Sequence, residues 1–469
     1  MRVTVGAMRC WWALLGVVMS GCSPPAPTTP PPASPPTPEI IIPAAKSVVL
    51  ITVDTLRADV LGVHGGAART PVIDDLARHG WNFDNCFANS MLTNPSHASI
   101  MTSLYPRDHG VQDNESGIAD GVRTIAWAMQ HQGRRTLAVI NFPHLNPEVS
   151  NLGQGFDRVV LATKEERRAD ETSKLALQVI DDLDDHEEFF LWVHYIDPHA
   201  PYDPPAEHPP RALDRKHRTS MKVAAQAAAG FQKKNPWFKK AFETYKYADD
   251  LEARYIAEVE ATDSGLAILL DGLKARGRAE RTSIVLTADH GENFGDHGLY
   301  FNHAGLYDAT VHVPLVVAVP GATPVRVAGQ VESVDIAPTL LELVGAPRWE
   351  PMRGRSLVGL VRGKEPAREF VFSEHMQAQQ VAVRGHDGLL ILHRRKSNQF
   401  PTYRFIAGRR EVYNLAADPG EEHDIGTDGP LYDELEAALQ RYLQAGLQYV
   451  ARPATGQDRE SLRRLGYVE

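Results

Sequence analysis

Several apolar runs along the chain end abruptly in polar residues, and each run predicts a buried β-strand. With the residues that follow them, the runs are SVVLITVD, RTLAVIN, EFFLWVHYIDPH, TSIVLTADHGE and EFVFSEH. Their apolar positions are continuous rather than alternating, which is typical of strands covered on both faces. Amphipathic stretches between them, such as 71–79 and 254–276, predict the covering helices. The pattern therefore predicts an α/β fold with a doubly wound, mostly parallel sheet.

Polar side chains stand where these runs end. They are Asp54, Asn141, His199, Asp289 and His290. In doubly wound sheets, ligands bind beyond the carboxyl ends of the strands. We therefore expect these side chains, which are far apart in the sequence, to converge at one edge of the sheet.

The N-terminus has the layout of a secretory signal. Arg2 and Arg9 precede a short apolar stretch at 11–19, which is followed by Ser-Gly-Cys. This stretch is shorter than the roughly 20 residues that a membrane-spanning helix needs, so residues 1–21 predict a cleaved signal peptide. Small residues before a cysteine resemble the lipobox of bacterial lipoproteins, which makes Cys22 the expected lipidation site. An ordinary signal with an incidental cysteine is the alternative.

Composition divides the rest of the chain. More than half of residues 23–38 are proline and none is charged, so 22–46 predicts an extended tether. We expect a larger α/β domain over 47–348 and a smaller α+β subdomain over 349–469, with short antiparallel strands and a closing helix at 431–447. The Ala-, Lys- and aromatic-rich segment 206–250 predicts an inserted helical cover.

The net charge and the signal sequence limit the classes of partner that we expect. The chain has 49 Lys and Arg residues against 59 Asp and Glu residues, a formal charge of -10, which argues against a nucleic-acid partner. Together with Cys22, the signal predicts a lipid-anchored protein of the bacterial cell envelope, facing the periplasm or the exterior. The lipid attached to Cys22 would then be the part of the protein that contacts the membrane.

The segment TNPSHASIMTSLYP predicts a helix with a hydroxyl at its N-terminus. Pro95 suits the first helical turn and Asn94 or Thr93 can cap it, so we expect the helix to begin near Asn94. Unpaired amides and the helix dipole favour a tetrahedral anion there, and Thr93 would be placed to attack phosphorus or sulfur. On local grounds alone, an ordinary threonine cap is the alternative.

The order of motifs resembles that of the sulfatase family in the alkaline phosphatase superfamily, over most of residues 47–425. VDTLRADVLGVHG resembles the first metal-binding strand and loop, TNPSHASIMTSLYP the nucleophile motif and LTADHGENFGDHG the second metal-binding strand. YIDPHAPYDPP, HAGLYDATVHVPL, SVDIAPTLLELVGAP and EVYNLAADPGEEHDI follow the family's order. The resemblance implies an alkaline phosphatase-like fold and a hydrolase of sulfate or phosphate esters.

The resemblance also implies a metal site. Asp54, Asp289 and His290 match metal ligands, and Thr93 matches the nucleophile, which also touches the metal. Thr55 replaces the second acid of the family's paired aspartates. Calcium prefers six to eight oxygen ligands, so this set suits zinc or manganese better, with calcium as the alternative.

One metal ion is expected rather than two. A two-zinc phosphodiesterase of the superfamily carries a histidine one helical turn after the aspartate that Asp263 matches. Here Ala267 stands at that place. We therefore give Asp263 a structural role.

Three histidines match substrate-binding positions of the family. His97 stands where sulfatases have the arginine of their C-x-P-x-R motif, and His199 matches the histidine that contacts the substrate anion. His303 falls at or near a family lysine, and His144 lies in a region where many sulfatases have a lysine and histidine pair. The resemblance implies that His97, His199 and His303 assist Thr93 in catalysis.

The threonine departs from the typical sulfatase. In typical sulfatases the cysteine, or in some cases the serine, at the nucleophile position is oxidised to the aldehyde formylglycine, whereas oxidation of Thr93 would give a ketone. A phosphorylated threonine is hydrolysed by ordinary attack of water at phosphorus, and threonine nucleophiles occur in phosphodiesterases and phosphoethanolamine transferases of the superfamily. We therefore expect phosphate esters to be favoured, in a small-molecule, glycan or lipid substrate. The alternatives are a sulfuric ester hydrolase without formylglycine, a phosphoethanolamine-type transferase and a non-catalytic binding protein.

Overall fold

A computed structural model describes residues 40–161, 167–214, 218–375, 379–446 and 449–453. Its strands are β1 Ser47–Val53, β2 Trp81–Phe87, β3 Ser116–Gly117, β4 Arg135–Ile140, β5 Arg158–Leu161, β6 Phe189–Tyr195, β7 Thr282–Ala288, β8 Asn293–Phe294, β9 Tyr300–Asn302, β10 His312–Ala318, β11 Val325–Val327, β12 Val331–Glu332, β13 Val371–Glu374, β14 Gln380–Arg384, β15 Gly388–His393, β16 Arg410–Asn414 and β17 Arg452–Pro453. The predicted signal peptide, Cys22 and most of the tether lie outside the described residues.

The helices lie singly or in groups between the strands. They are α1 Pro71–His79, α2 Thr93–Thr102, α3 Pro106–His109, α4 Ile125–His131, α5 Pro147–Ser150, α6 Ala169–Asp181, α7 Met221–Ala227, α8 Gly230–Lys234, α9 Pro236–Thr244, α10 Asp249–Ala275, α11 Asp308–Val311, α12 Ile336–Leu343, α13 Val358–Val361 and α14 Pro430–Gln444. No helix of the described ranges is both long and apolar enough to cross a bilayer.

The central sheet confirms the predicted fold class. It has nine strands in the order β11-β2-β10-β7-β1-β6-β4-β5, with β12 also paired to β2. Every pairing given for it is parallel except the two that β10 makes, with β2 and β7. Every residue of β1, β6 and β7 is buried, as continuous apolar runs predict. Burial of one Val, Leu or Ile side chain contributes about 1.5 to 3 kcal/mol to the free energy of folding, so these three strands stabilise the centre of the fold.

One predicted strand belongs to another sheet. EFVFSEH forms β13, which lies at the edge of an antiparallel sheet in the order β13-β14-β15-β16 and not in the parallel one. The expectation that all five runs share a sheet is therefore wrong for this run. A run of four residues has no pattern that distinguishes a parallel from an antiparallel neighbour. The antiparallel sheet and α14 bury an apolar cluster between them, to which Tyr105 and Val334 also contribute.

The antiparallel sheet is hydrogen-bonded to the segment that leads into α2. The Glu374 backbone N–H donates to the Asn89 carbonyl at 2.9 Å, and the Ser90 hydroxyl donates to the Glu374 carbonyl at 3.0 Å. Asn89 also donates through its amide to the Phe372 carbonyl at 2.9 Å. The strand β13 therefore holds the start of the loop that carries Thr93.

The segment predicted as a helical cover contains three short helices. They are α7, α8 and α9. The Gln232 side-chain amide donates to the backbone carbonyls of Tyr300 and Phe301 at 2.8 and 2.7 Å. The cover is therefore attached to β9, directly before the loop that carries His303.

Candidate active site

Three predicted metal ligands come together at the carboxyl ends of two neighbouring strands. Asp54 directly follows β1, while Asp289 and His290 directly follow β7. Val53 and Ala288 are register partners in the parallel pair, so both strands end at the same level. One ligand atom from each residue lies within 4.8 Å of the others, and all three residues are buried. The geometry is that of a candidate metal centre.

Backbone groups fix the orientation of Asp289. Its Oδ1 accepts hydrogen bonds from the backbone N–H groups of Thr55 at 3.2 Å and His290 at 2.8 Å. Thr55 adopts a left-handed backbone conformation, with φ of 54°, as it turns its amide toward the carboxylate. The second oxygen, Oδ2, lies 3.5 Å from His290 Nε2 and has no hydrogen-bond partner in the described ranges. Burial raises the pKa of Asp289 to about 6.

His290 presents a lone pair to the same space. Its Nδ1–H donates to the Gly291 carbonyl at 3.1 Å, which leaves Nε2 without a proton in the neutral ring. Burial lowers the His290 pKa to about 4, and Nε2 has no hydrogen-bond partner among the described residues. Two carboxylates and a neutral imidazole, with Asp289 Oδ2 and His290 Nε2 unused, fit a divalent metal ion.

Thr93 is the first residue of α2, not the residue before it. Leu92 is the N-cap, with extended backbone, and its carbonyl accepts the Ser96 N–H at 3.0 Å to close the first turn. The helix thus begins within one residue of the expected start, but the expected cap at Thr93 or Asn94 is wrong, because Leu92 caps the helix without a side-chain hydrogen bond. Thr93 is buried at the helix N-terminus, where a hydroxyl can face an anion.

Ser96, the nearest competing hydroxyl, is engaged elsewhere. Its Oγ donates to the Asp289 carbonyl at 2.6 Å. This bond joins the first turn of α2 to the end of β7, so the nucleophile helix and the metal-ligand strand hold a fixed distance. The Ser96 hydroxyl proton is therefore used in a bond between two elements of the fold.

His97 lies in a directed chain of hydrogen bonds. Trp192 Nε1–H donates to Thr52 Oγ1 at 3.0 Å, and the Thr52 hydroxyl donates to His97 Nε2 at 3.1 Å. His97 Nδ1–H then donates to the Thr93 carbonyl at 2.9 Å. Both ring nitrogens are engaged, and burial lowers the His97 pKa. The structure thus gives His97 the geometry of a neutral positioning residue for Thr93, where sulfatases have a cationic arginine.

Replacing Thr52 tests this chain of hydrogen bonds. Thr52→Val keeps the shape but leaves two buried groups, Trp192 Nε1–H and His97 Nε2, without partners. We expect a loss of about 1 to 3 kcal/mol in the free energy of unfolding, measured by urea titration. Thr287→Val, at the register partner on β7, is the control, since Thr287 makes only a 3.3 Å bond to its neighbour's carbonyl. Equal losses in the two variants would contradict the assignment.

The remaining predicted histidines line one side of the metal-ligand group. The ring of His303 lies 4.5 Å from that of His290 and 6.1 Å from that of His199, measured between centroids. His199 Nδ1–H donates to the Ala200 carbonyl at 2.6 Å. Burial, and secondarily neighbouring histidines, lower the pKa of His303, and burial lowers that of His144 to about 4. The imidazoles of His303 and His144 are therefore neutral at neutral pH, unlike lysine side chains.

His194 is a site residue that the sequence pattern did not single out. It lies within β6, where Nε2 is 3.7 Å from Asp54 Oδ2 and Nδ1 is 3.3 Å from the Thr52 carbonyl. Burial lowers its pKa well below the usual range. The available signal was a histidine one residue before the end of an otherwise apolar strand. Such a position lies close to the edge of the sheet where ligands bind.

Asp263 has the structural role that the sequence predicts. Its carboxylate accepts the backbone N–H groups of Val72 at 3.2 Å and Ile73 at 2.8 Å, in the first turn of α1. It thus satisfies helix donors that have no partner within the helix.

Comparisons with known proteins define the class. The sulfatase family model matches residues 46–346, and a model described as N-sulphoglucosamine sulphohydrolase, C-terminal, matches residues 295–448. The chain is 24% identical to an N-acetylglucosamine-6-O-sulfatase of Bacteroides thetaiotaomicron, covering 81% of this chain and 82% of that one. It is also 24% identical to an ulvan-active sulfatase of Formosa agariphila, covering 86% and 81%.

Solved structures share the fold. A phosphonate monoester hydrolase of Agrobacterium radiobacter superposes with a TM-score of 0.68 at 21% identity, covering 85% of this chain and 95% of that one. A second structure, in complex with its substrate D-glucosamine-2-N,6-O-disulfate, gives 0.68 at 19% identity, covering 90% and 98%.

The fold, the metal-ligand group and the family match indicate the same class of protein. The protein has an α/β fold of the alkaline phosphatase-like type. The chain belongs to the sulfatase family, and it is a sulfatase-family ester hydrolase.

Proposed function

We propose that this hydrolase uses Thr93 as its nucleophile and cleaves phosphate esters in preference to sulfate esters. The observation that carries the proposal is the buried Thr93 at the first position of α2, joined to the metal-ligand strand through Ser96 and Asp289. A threonine ester of phosphate has an ordinary second step, attack of water at phosphorus. A threonine ester of sulfate lacks the route by which a formylglycine hydrate expels sulfate.

Each step of the proposed reaction uses residues of this chain. The Thr93 oxygen gives up its proton and forms a bond to phosphorus while the bond to the leaving oxygen breaks, and the leaving oxygen ends with the proton that the Thr93 hydroxyl lost. The N-terminus of α2 stabilises charge on the phosphoryl oxygens. Water then attacks the phosphothreonine, with His199 or His303 moving the proton, and Thr93 is regenerated with release of phosphate. One divalent ion held by Asp54, Asp289 and His290, zinc or manganese in preference to calcium, would supply Lewis-acid polarisation of the ester oxygen.

A substrate panel tests the preference. We expect purified enzyme, without residues 1–39, to cleave aryl phosphate monoesters or diesters faster than the matched aryl sulfate at saturating metal. Comparing kcat/KM for the three esters of one phenol keeps the leaving group constant. Faster cleavage of the sulfate than of both phosphate classes would contradict the preference.

A sulfate ester is the second candidate substrate. The sulfatase model covers both metal-ligand motifs and the nucleophile segment, which favours sulfate, and several relatives are named for sulfated glycans. Product analysis separates the remaining alternatives. Free anion identifies a hydrolase, a modified acceptor identifies a phosphoethanolamine-type transferase, and bound metal without either product identifies a binding protein.

We also propose that Cys22 anchors the protein in the bacterial cell envelope. The signal, the lipobox-like residues and the proline-rich tether support this location. We expect Cys22→Ala to move the protein from the membrane to the soluble fraction while the specific activity of the purified protein stays unchanged. Fractionation followed by immunoblotting measures it, and unchanged membrane association would contradict the anchor.

A further inference from the structure

We propose that the C-terminal strand β17 positions the start of the nucleophile helix α2 and the ring of His144, and so belongs to the framework of the ester site. This role rests on the proposed place of Thr93 in the site, but not on the choice between phosphate and sulfate esters. The two family models match residues 46–346 and 295–448, and β17, Arg452–Pro453, follows the last matched residue. The family match therefore assigns no role to this strand.

The strand β17 pairs with β3, a short strand in the loop that follows α3. Its two residues, Arg452 and Pro453, form an antiparallel pair with those of β3. Just before the strand, the Tyr449 backbone N–H donates to the Asp108 carbonyl in α3 at 2.9 Å. The Arg452 guanidinium donates to the Glu148 carbonyl in α5 at 2.8 Å. The segment 449–453 is therefore hydrogen-bonded to α3, to β3 and to α5.

The loop that contains β3 is hydrogen-bonded to the residue after Thr93. The backbone N–H of Asn94 donates to Asn114 Oδ1 at 3.0 Å. The side-chain amide of Asn94 donates to two backbone carbonyls, that of Asn114 at 3.3 Å and that of Ser116 at 3.2 Å. Ser116 is the register partner of Pro453. One residue of β3 thus links β17 to the first turn of α2.

The same loop orients the ring of His144. The Asn114 carbonyl accepts the His144 Nδ1–H at 2.9 Å, which sets the tautomer of the neutral ring. The ring of Phe142 packs against two histidines of the site, since its centroid lies 5.1 Å from that of His144 and 5.4 Å from that of His199. The helix α5, to which Arg452 donates, begins three residues after His144. The strand β17 therefore supports His144 through β3 and through α5.

The segment that contains β17 adds little to the apolar core. Val450 is 84% exposed and Tyr449 is 38% exposed. Chain ends that bury little apolar surface can separate from a domain without unfolding the rest of it. Loss of β17 should therefore disturb the loop at Asn114 and the start of α2 while the central sheet stays folded.

Two truncated chains test this role. The first ends at Gln448 and lacks β17, and the second ends at Pro453 and keeps it, so that both lack residues 454–469. With the aryl ester that the full chain cleaves fastest, we expect kcat of the first to fall about 10- to 100-fold, because misplacing a reacting group by about 1 Å can cost a factor of about 100. The second should retain the kcat of the full chain. Equal kcat values in the two truncated chains would overturn the proposal.

A matched pair of glycine variants tests the same role at full length. Gly110 and Gly121 have positive φ angles of 79° and 78°, so alanine strains the two backbones alike. A Cβ atom at Gly110 would lie 2.3 Å from the Tyr449 carbonyl oxygen, whereas one at Gly121 would have no neighbour within 4 Å among the described residues. Gly110→Ala should therefore displace the chain before β17 and lower kcat more than Gly121→Ala does. Equal effects of the two changes on kcat would contradict the role of the strand.

Hydrogen exchange separates positioning from a general loss of stability and needs no substrate. In the chain that ends at Gln448, amides of residues 92–97 and 112–118 should exchange faster than in the chain that ends at Pro453, whereas those of β1 and β7 should not. Faster exchange throughout the molecule would overturn the proposal, since β17 would then support the whole fold. If Thr93→Ala kept its activity, the proposed nucleophile would fail, but the exchange measurement would still decide the role of β17.

Discussion

We expect Thr93→Ala to lower kcat by a factor of at least about a thousand with every ester class, because it removes the atom that forms the covalent intermediate in the proposed reaction. Thr93→Ser retains substantial phosphate ester turnover, since the serine oxygen occupies the same place at the start of α2. Steady-state kinetics at saturating metal measure both changes. Mass spectrometry of acid-quenched enzyme should detect a phosphoryl group on Thr93 in the wild-type protein and none in the alanine variant.

Ser96→Ala is the control for this result. It leaves the hydroxyl of Thr93 in place but removes the 2.6 Å bond to the Asp289 carbonyl. We expect it to cost about 0.5 to 1.5 kcal/mol of folding free energy and far less of kcat than Thr93→Ala does. Near wild-type activity of Thr93→Ala together with an inactive Ser96→Ala would show that Ser96 is the nucleophile.

We expect removal of a bound metal ion to abolish turnover and to lower the melting temperature. Chelation followed by dialysis should leave a folded, inactive protein, and zinc or manganese should restore activity better than calcium. Any ion that binds only the folded state stabilises it, by about 2.7 kcal/mol at a hundred times its Kd. Differential scanning calorimetry with and without metal therefore gives a readout that does not depend on substrate.

Ligand variants make this metal prediction specific. Asp289→Ala should lose the metal-dependent rise in melting temperature, whereas Asp75→Asn, at an exposed carboxylate in α1, should keep it in full. Full restoration of activity by calcium alone would mean that further oxygen atoms complete the site. Retention of the thermal shift in Asp289→Ala would remove that residue from the ligand set.

The sequence predicts the parts of the site that one segment can specify. Asp54 and Asp289 each directly follow a continuous apolar run, so the place of each residue at the carboxyl edge of the sheet follows from its own segment. The start of α2 was harder to locate because Leu92 caps it through backbone conformation alone. When the residue that caps a helix has no polar side chain, the sequence pattern does not show where the helix begins.

Other features depend on which strands are neighbours. Thr52, Trp192 and His97 lie on three separate elements, and only the pairing of β1 with β6 brings the first two into contact. The antiparallel direction of β10 is similarly absent from its run of apolar residues, because burial on two faces gives the same pattern in either direction. The pattern of apolar residues thus predicts the sheet and the helices that cover it. It does not predict the hydrogen bonds that connect Trp192, Thr52 and His97.

The pairing of Asn89 and Ser90 with β13 has a consequence for how the protein acquires activity during synthesis. The Ser90 hydrogen bond to Glu374 spans 284 residues of the sequence. A nascent chain that has not yet reached β13 already contains Thr93 and all three metal ligands, but lacks the strand that holds the loop before the nucleophile. Contacts this distant in sequence form late, because the intervening chain must first be ordered. Catalytic competence is then among the last properties that a newly made molecule gains, and a chain truncated before β13 would carry every reactive group in an unassembled state.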